Sequence, residues 1–407
     1  MKKALVVAIG FNRPKSLQRL LKSLERVEPA EICADLIVSL DGGGPDECLT
    51  IADNMQWHHG ATNVVRHTTN LGLVAHVEWC TDLVRDYDGI IILEDDLSVS
   101  PWMLHYCNEA MKFYIDDPLV AQISLYGPSY NEFQRLPLGL ASRAEDTFLA
   151  RAPASWGQLY FRSAWQAYRR WSSEGRQGVE NSRAPSQIKT WKHSWKRPFF
   201  EYVSACEKTI VYPIVSLSTN HTEPGTNMLA NTKVHEVDLE CVQRSYCFTP
   251  TKAAHYNEWF EPEPSNFPDA CFDGIENLSI DLSGIIPMEE LAGDWLLSLR
   301  PCRKPVKRFS ALLKPLELNV RWQVQADEQD DWAISLGRKE DFETDPVGIQ
   351  FHLAYEHLGL ESYQRGCHDG NREARQSTRF KIGDFLLAPT RWKLPGLNRS
   401  RNKSGAT

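Results

Sequence analysis

Four short apolar runs in the first hundred residues alternate with helical patterns, and this alternation restricts the chain to a sheet covered by helices. ALVVAI at 4–9 is strand-length and ends at Gly10. Pro14 then opens a helix in which Leu17, Leu20, Leu21 and Leu24 share a face opposite Arg19, Lys22 and Glu25. DLIVSL at 35–40 is a second strand, stopped by Asp41-Gly42-Gly43-Gly44, and NVVRH at 63–67 is a third. GIIIL at 89–93 is a fourth, ending in Glu94-Asp95-Asp96. Helical spacing covers 76–85 and 101–115. Strands that are apolar on both faces predict a parallel sheet with helices on each side. Ligands of such sheets bind beyond the carboxyl ends of the strands. The polar clusters Asn12-Arg13, Asp41, Asn70 and Glu94-Asp95-Asp96 fall at those ends.

The pattern then changes. Strands are expected at 121–125 and 209–217, and helices at 162–171 and 191–206, in a stretch rich in tryptophan. Trp156, Trp165, Trp171, Trp191 and Trp195 could stack on sugar rings, though core packing is the commoner use of tryptophan. After about 245 the alternation stops. Strand-like pieces at 278–282, 316–324 and 332–336 predict a smaller region. The division expected is an α/β domain over 1–240, an α+β region over 241–371 and a basic tail over 372–407.

The net charge of −8 argues against a nucleic-acid binder. The tail carries nine Lys/Arg against Glu373 and Asp384, a net of +7, so the rest of the chain carries −15. Two readings of the tail stay open. Phe385, Leu386 and Trp392 could dip into an anionic membrane surface beside Arg379, Lys381, Arg391 and Lys393, or they could pack on the protein. Ten cysteines without CxxC pairs or zinc spacing suit reduced thiols. The apolar start is too short for a signal peptide and reads as a strand. No run reaches the length of a membrane span. These features predict a cytoplasmic protein, with peripheral contact at the inner face of the plasma membrane if the tail binds lipid.

Three carboxylates after a buried strand repel one another unless a cation is present, and a hard divalent ion bridging them to a diphosphate is the usual remedy. A solvated acidic turn is the plainer reading. Arg13 precedes a helix N-terminus, where an anion is already favoured, and could meet a phosphate or simply lie at the surface. Asp41 could accept a hydrogen bond from a base or sugar, or serve only the turn.

Taken in order, the strand–GFNRP–helix opening, Asp41, Asn70-Leu71-Gly72 and ILEDDLSVSPWM resemble the GT-A glycosyltransferases. The nearest pattern is that of N-acetylglucosaminyltransferase I-like enzymes and bacterial family 2-like relatives, over about residues 1–230. The resemblance implies a GT-A, Rossmann-like nucleotide-diphospho-sugar transferase fold. It implies that Asn12, Arg13, Asp41, Asn70, Glu94 and Asp95 bind the donor. Arg13 would meet the diphosphate, Asp41 the base (usually uracil), Asn70 the pocket wall and Asp95 the ribose or sugar. Asp96 would ligate Mn²⁺ or Mg²⁺. SWGQLYFRSAW at 155–165 would lie under the acceptor, and the run at 210–227 near the donor phosphates. The implied reaction moves a sugar, hexosyl or N-acetylhexosaminyl, from a nucleoside diphosphate sugar to a hydroxyl of a glycan or lipid-linked glycan, with inversion. Bacterial surface polysaccharide is the implied setting.

One position departs from the pattern. Relatives carry an aspartate as general base after the tryptophan of the helix before the YP strand. Here the residues are Trp195-Lys196. Glu201, one turn on, is the first candidate to replace it, unless it is only a solvated helix residue; His193, Glu223 and Asp146 are the others, and the sequence leaves the base unassigned. A nucleotidyltransferase remains an alternative, although GFNRPKS lacks that class's glycines. So does a non-catalytic nucleotide-sugar or glycan-binding protein.

Overall fold

A computed structural model describes residues 2–141, 143–223, 234–253, 255–327 and 332–344. The chain divides into two compact units, Met1–Pro346 and Val347–Thr407, and the described residues belong to the first. The basic tail over 372–407 lies outside the described residues.

The elements run β1 (Lys3–Gly10), α1 (Pro14–Leu24), β2 (Cys33–Leu40), α2 (Asp46–Asp53), β3 (Thr62–Arg66), α3 (Leu73–Asp82), β4 (Gly89–Glu94), β5 (Leu97–Val99), α4 (Met103–Tyr114) and β6 (Val120–Ser124). After these come β7 (Tyr130–Asn131), β8 (Leu136–Pro137), β9 (Thr147–Ala150), β10 (Gln158–Phe161), α5 (Arg162–Ser173), α6 (Lys196–Ala205), β11 (Thr209–Pro213) and β12 (Ser218–Asn220). Eight strands make the main sheet in the order β3-β2-β1-β4-β10-β6-β11-β9.

The β1–β4 half is parallel, as the sequence predicts. The far half is mixed, which the sequence does not show: β10 inserts antiparallel between β4 and β6, and β9 pairs antiparallel with β11. Strand alternation splits β1 between two cores. Ala4, Val6 and Ala8 face α1 and α4, packing with Leu17, Leu20 and Leu104. Leu5, Val7 and Ile9 face the other side with Val77, Trp165 and Phe199 of α3, α5 and α6. Burying each Val, Leu, Ile or Phe among them contributes about 1.5–3 kcal/mol, so both layers hold the sheet.

Three boundaries differ from expectation for local reasons. The strand expected at 209–217 ends at Pro213, which lacks an N–H, and resumes as β12 beside β5. The helix expected at 191–206 begins only at Lys196, because Pro198 is tolerated in a first turn but not deeper. The strand expected at 316–324 is instead a short helix, α7 (Glu317–Arg321). Its alternating apolar residues mimic a strand, but Glu317 and Val320, a helical step apart, are buried together with Asn319, which ties back to Leu313.

A second sheet orders β13 (Leu278–Asp281), β14 (Trp295–Ser298), β16 (Ile334–Arg338) and β15 (Lys307–Phe309) as β13-β14-β16-β15. Ile286, Leu296 and Phe342 of this region join the core under α5 and α6. Nearby, Arg300, with no exposed surface, pairs with Asp281 at 3.2 Å. The nine described cysteines are free. Among the described residues, no helix is long and apolar enough to cross a membrane.

Candidate functional site

The carboxyl ends of β1, β2 and β4 bring together what the sequence separates by some eighty residues. Arg13 sits at the N-cap of α1 with non-helical backbone, and Pro14 supplies the preset φ of the first turn. Its guanidinium reaches across to the turn after β4. Nε donates to Asp95 Oδ2 at 3.3 Å, Nη2 donates to Asp95 Oδ1, and Nη2 lies 3.4 Å from Asp96 Oδ2. Glu94, at the end of β4, accepts the indole N–H of Trp195 at 3.3 Å.

Burial sets the electrostatics here. Loss of water, then the neighbouring Asp96 and Asp95, push Glu94 up to about 8. Asp95, 5% exposed, is pushed up to about 6 because burial outweighs the attraction of Arg13. The turn therefore calls for more positive charge than one guanidinium supplies. Among the described residues, no three His, Cys, Asp or Glu side chains form a ready-made metal cage. Magnesium-type ions commonly need only one or two protein carboxylates, the rest being phosphate oxygens and water. Asp96, less buried than Asp95, suits that donor set.

Asp41 has a second task that the sequence hides. It is buried, its Oδ1 accepts the N–H groups of Gly42 and Leu71 at 2.8 Å, and its Oδ2 accepts that of Gly72 at 3.1 Å. Asn70 donates to the Gly42 carbonyl at 3.1 Å. These bonds clamp the loops after β2 and β3 together. A Cβ on Gly42 would lie 2.2 Å from the Thr69 carbonyl carbon, so only glycine allows the approach. Asn12 is exposed at the same rim.

The carboxylates expected to serve as base are already engaged. Glu201 is buried on α6, with Arg197 3.2 Å from Oε1 and Arg176 3.2 Å from Oε2. These contacts brace α6 against the segment at 176 and engage both carboxylate oxygens. Glu223 takes both Nη groups of Arg19 at 2.8 Å and the hydroxyl of Ser16, and the Arg19 bonds pull it down to about 2. Asp146 accepts Arg244 at 3.4 Å and the Cys247 N–H at 2.8 Å. His193 is exposed. Trp165, Trp171 and Trp195 are core, whereas Trp156 and Trp191 are only half-buried.

Two features escaped the sequence reading. β12 pairs with β5, so the His221 N–H donates to the Asp96 carbonyl at 3.0 Å and its Nε2 lies 2.9 Å from Ser98 Oγ. Lys196, where an acid was expected, is buried and ion-paired with Glu132, which follows β7. Neither has a local signal, since each depends on strand pairing or on contacts 64 or more residues apart.

No family model matches the chain, and no curated protein matches it in sequence. Solved structures with a similar fold include S. aureus TarS 1-349 in complex with UDP-GlcNAc, at 14% identity and TM-score 0.36 over 57% of this chain and 62% of that one. Mannosyltransferase PcManGT from Pyrobaculum calidifontis, in complex with GDP-Man and Mn²⁺, matches at 12% identity and TM-score 0.28 over 42% and 46%. Mouse xyloside xylosyltransferase 1, apo form, matches at 10% identity and TM-score 0.33 over 50% and 81%. The match thus spans about three fifths of the TarS chain, and each likeness is partial in extent and low in identity.

Proposed function

We propose that this protein is a glycosyltransferase that uses a nucleoside diphosphate sugar, uridine-linked, as donor and a glycan or lipid-linked hydroxyl as acceptor. The carrying observation is the convergence of Arg13, at the N-terminus of α1, with Asp95 and Asp96 at the carboxyl end of β4. A cation, a helix N-terminus and acidic oxygens at one strand-end crevice suit a diphosphate bound together with a divalent ion. The domain division expected at 240 and 371 belongs to the same proposal.

Asp96 would hold Mn²⁺ or Mg²⁺, whose chemistry is to neutralise the diphosphate as it leaves. Arg13 supplies a fixed cationic donor to the same group, and the first-turn N–H groups of α1 add their dipoles. Asp41 and Asn70 clamp the two loops together, and the rim so fixed would receive the base. Asn12 at the rim and Glu94 beside Trp195 complete the donor side. Attack in line by the acceptor oxygen inverts the anomeric carbon. A bacterial surface glycan as product follows the sequence resemblance alone.

The test is release of nucleoside diphosphate from a panel containing UDP-Glc, UDP-Gal, UDP-GlcNAc and GDP-Man, with Mn²⁺ and with EDTA. Metal-dependent release of UDP supports the proposal. Release of pyrophosphate from nucleoside triphosphate plus sugar phosphate would point to a nucleotidyltransferase. Binding with no turnover in any arm would leave a non-catalytic binder.

A further inference from the structure

The proton acceptor is the missing part of the site, and Lys196 indicates where it comes from. Lys196 opens α6 and is buried, with its ammonium against Glu132 Oε1. The same ammonium lies 5.5 Å from the ring centre of Trp191, 5.6 Å from Trp156 and 5.9 Å from Phe133. Three aromatic faces and one carboxylate thus fix its position. The carboxylate is fixed in return: Glu132 cannot swing away without leaving a buried ammonium unpaired. Only Oε1 is used. Among the described residues Oε2 of Glu132 has no partner, and a quarter of the side chain, 25%, remains exposed.

Two separate sets of contacts link the neighbours of this pair to the acidic turn. Trp195, the residue before Lys196, donates its indole N–H to Glu94 at 3.3 Å. Trp156, over which the ammonium sits, accepts the Ser218 hydroxyl at 2.5 Å through its carbonyl, and Ser218 begins the strand paired with β5 just past Asp96. His235 packs on the Trp156 ring at 4.3 Å, and its carbonyl takes the Asn220 N–H at 3.3 Å. Tyr126 packs on the same ring at 4.7 Å, so the indole is held by its neighbours and the open part of the pair is the free oxygen of Glu132.

We propose that Glu132 is the general base, with Lys196 as its positioning residue. This rests on the glycosyltransferase reading. Oε2 takes the proton from the acceptor hydroxyl as that oxygen bonds to the anomeric carbon of the donor. The bond from that carbon to the diphosphate oxygen breaks, and its electron pair leaves on the diphosphate. The carboxylate expected at 196 is thus supplied from 64 residues earlier in the chain, through an ion pair. Elimination agrees, since Glu201, Glu223 and Asp146 each have both oxygens engaged. The titratable groups facing Glu132 are Lys196, the His235 imidazole, which burial holds below its ordinary value, and the phenols of Tyr126 and Tyr212, which burial holds above theirs.

The test measures hydrolysis of the donor panel, with water as acceptor, across pH 5–9 for wild type, Glu132→Gln, Glu132→Asp and Lys196→Met. Donor affinity is measured by calorimetry and folding by circular dichroism. Glu132→Gln should lower kcat by about 10²-fold or more, with donor affinity within about threefold. Glu132→Asp should recover part of the rate. Lys196→Met releases the carboxylate from its fixed position, so it should lower kcat while donor affinity stays within about threefold. Equal turnover by wild type and Glu132→Gln overturns the base assignment and leaves the glycosyltransferase reading standing. Wild-type binding without any hydrolysis also overturns it, because a free base oxygen at the donor would activate water. A wild type that binds no donor overturns the glycosyltransferase reading, and the base assignment with it.

Discussion

Arg13→Leu separates the two tasks of the guanidinium. In the structure Nε and Nη2 are given to Asp95 and Nη2 is shared with Asp96, which leaves Nη1 with no partner among the described residues. One oriented cationic donor is therefore available to a diphosphate, and losing such a donor costs about 10²–10³-fold in kcat, roughly 2.7–4 kcal/mol. The second effect is on folding without ligand. Asp95 stands at about 6 with Arg13 in place and moves higher when the cation is gone. A carboxylate raised above its unfolded value of about 3.8 weakens the fold as pH rises, until pH passes the folded value. In wild type that loss levels off near pH 6, whereas in Arg13→Leu it continues. The stability gap between the two should open above pH 6 at up to about 1.4 kcal/mol per pH unit. Asp95 is nearly buried, so solvent screening reduces this little. Urea unfolding in EDTA at pH 5.5, 6.5 and 7.5, followed by tryptophan fluorescence, measures the gap. The same gap at all three pH values, or transfer within threefold of wild type, would refute the reasoning.

Asp96→Ala should abolish the Mn²⁺-dependent part of donor binding in calorimetry while the far-ultraviolet spectrum stays unchanged. Wild-type affinity across a Mn²⁺ titration would contradict this. Glu201→Gln should keep turnover within about threefold and lower Tm by a few degrees, because it weakens the pairs to Arg176 and Arg197. A loss near 10²-fold would restore Glu201 as base. Arg300→Leu should cost about 3–5 kcal/mol in urea unfolding at pH 8, since it strands Asp281 and the carbonyls of Ile286, Glu343 and Thr344. Burial pushes Asp281 up to about 7, so it accepts a proton in acid, and the cost should be smaller at pH 5. An equal cost at both pH values would count against the buried charge.

The parallel half of the fold was legible because its signals are local. An apolar run such as GIIIL, short and rich in β-branched residues, reads as a strand covered on both faces, and Pro14 with the leucines at 17, 20, 21 and 24 reads as the start of an amphipathic helix. The meeting of Arg13 with Asp95 and Asp96 was legible for the same reason: each lies within three residues of a strand end, and parallel strands bring such ends to one edge. Tertiary structure decided the rest. QLYF at 158–161 has the composition of any buried strand, and only its packing between β4 and β6 makes it antiparallel. Glu201 has the right residue type at the right spacing, yet Arg176, 25 residues earlier, takes one of its oxygens. Glu132 shows no signal in the chain, and it becomes a candidate base only because Lys196 holds it beside Trp156. Periodicity reports on residues a turn or a pleat apart. The pairing of two charges 64 residues distant depends on how the layers pack, and no local pattern encodes that.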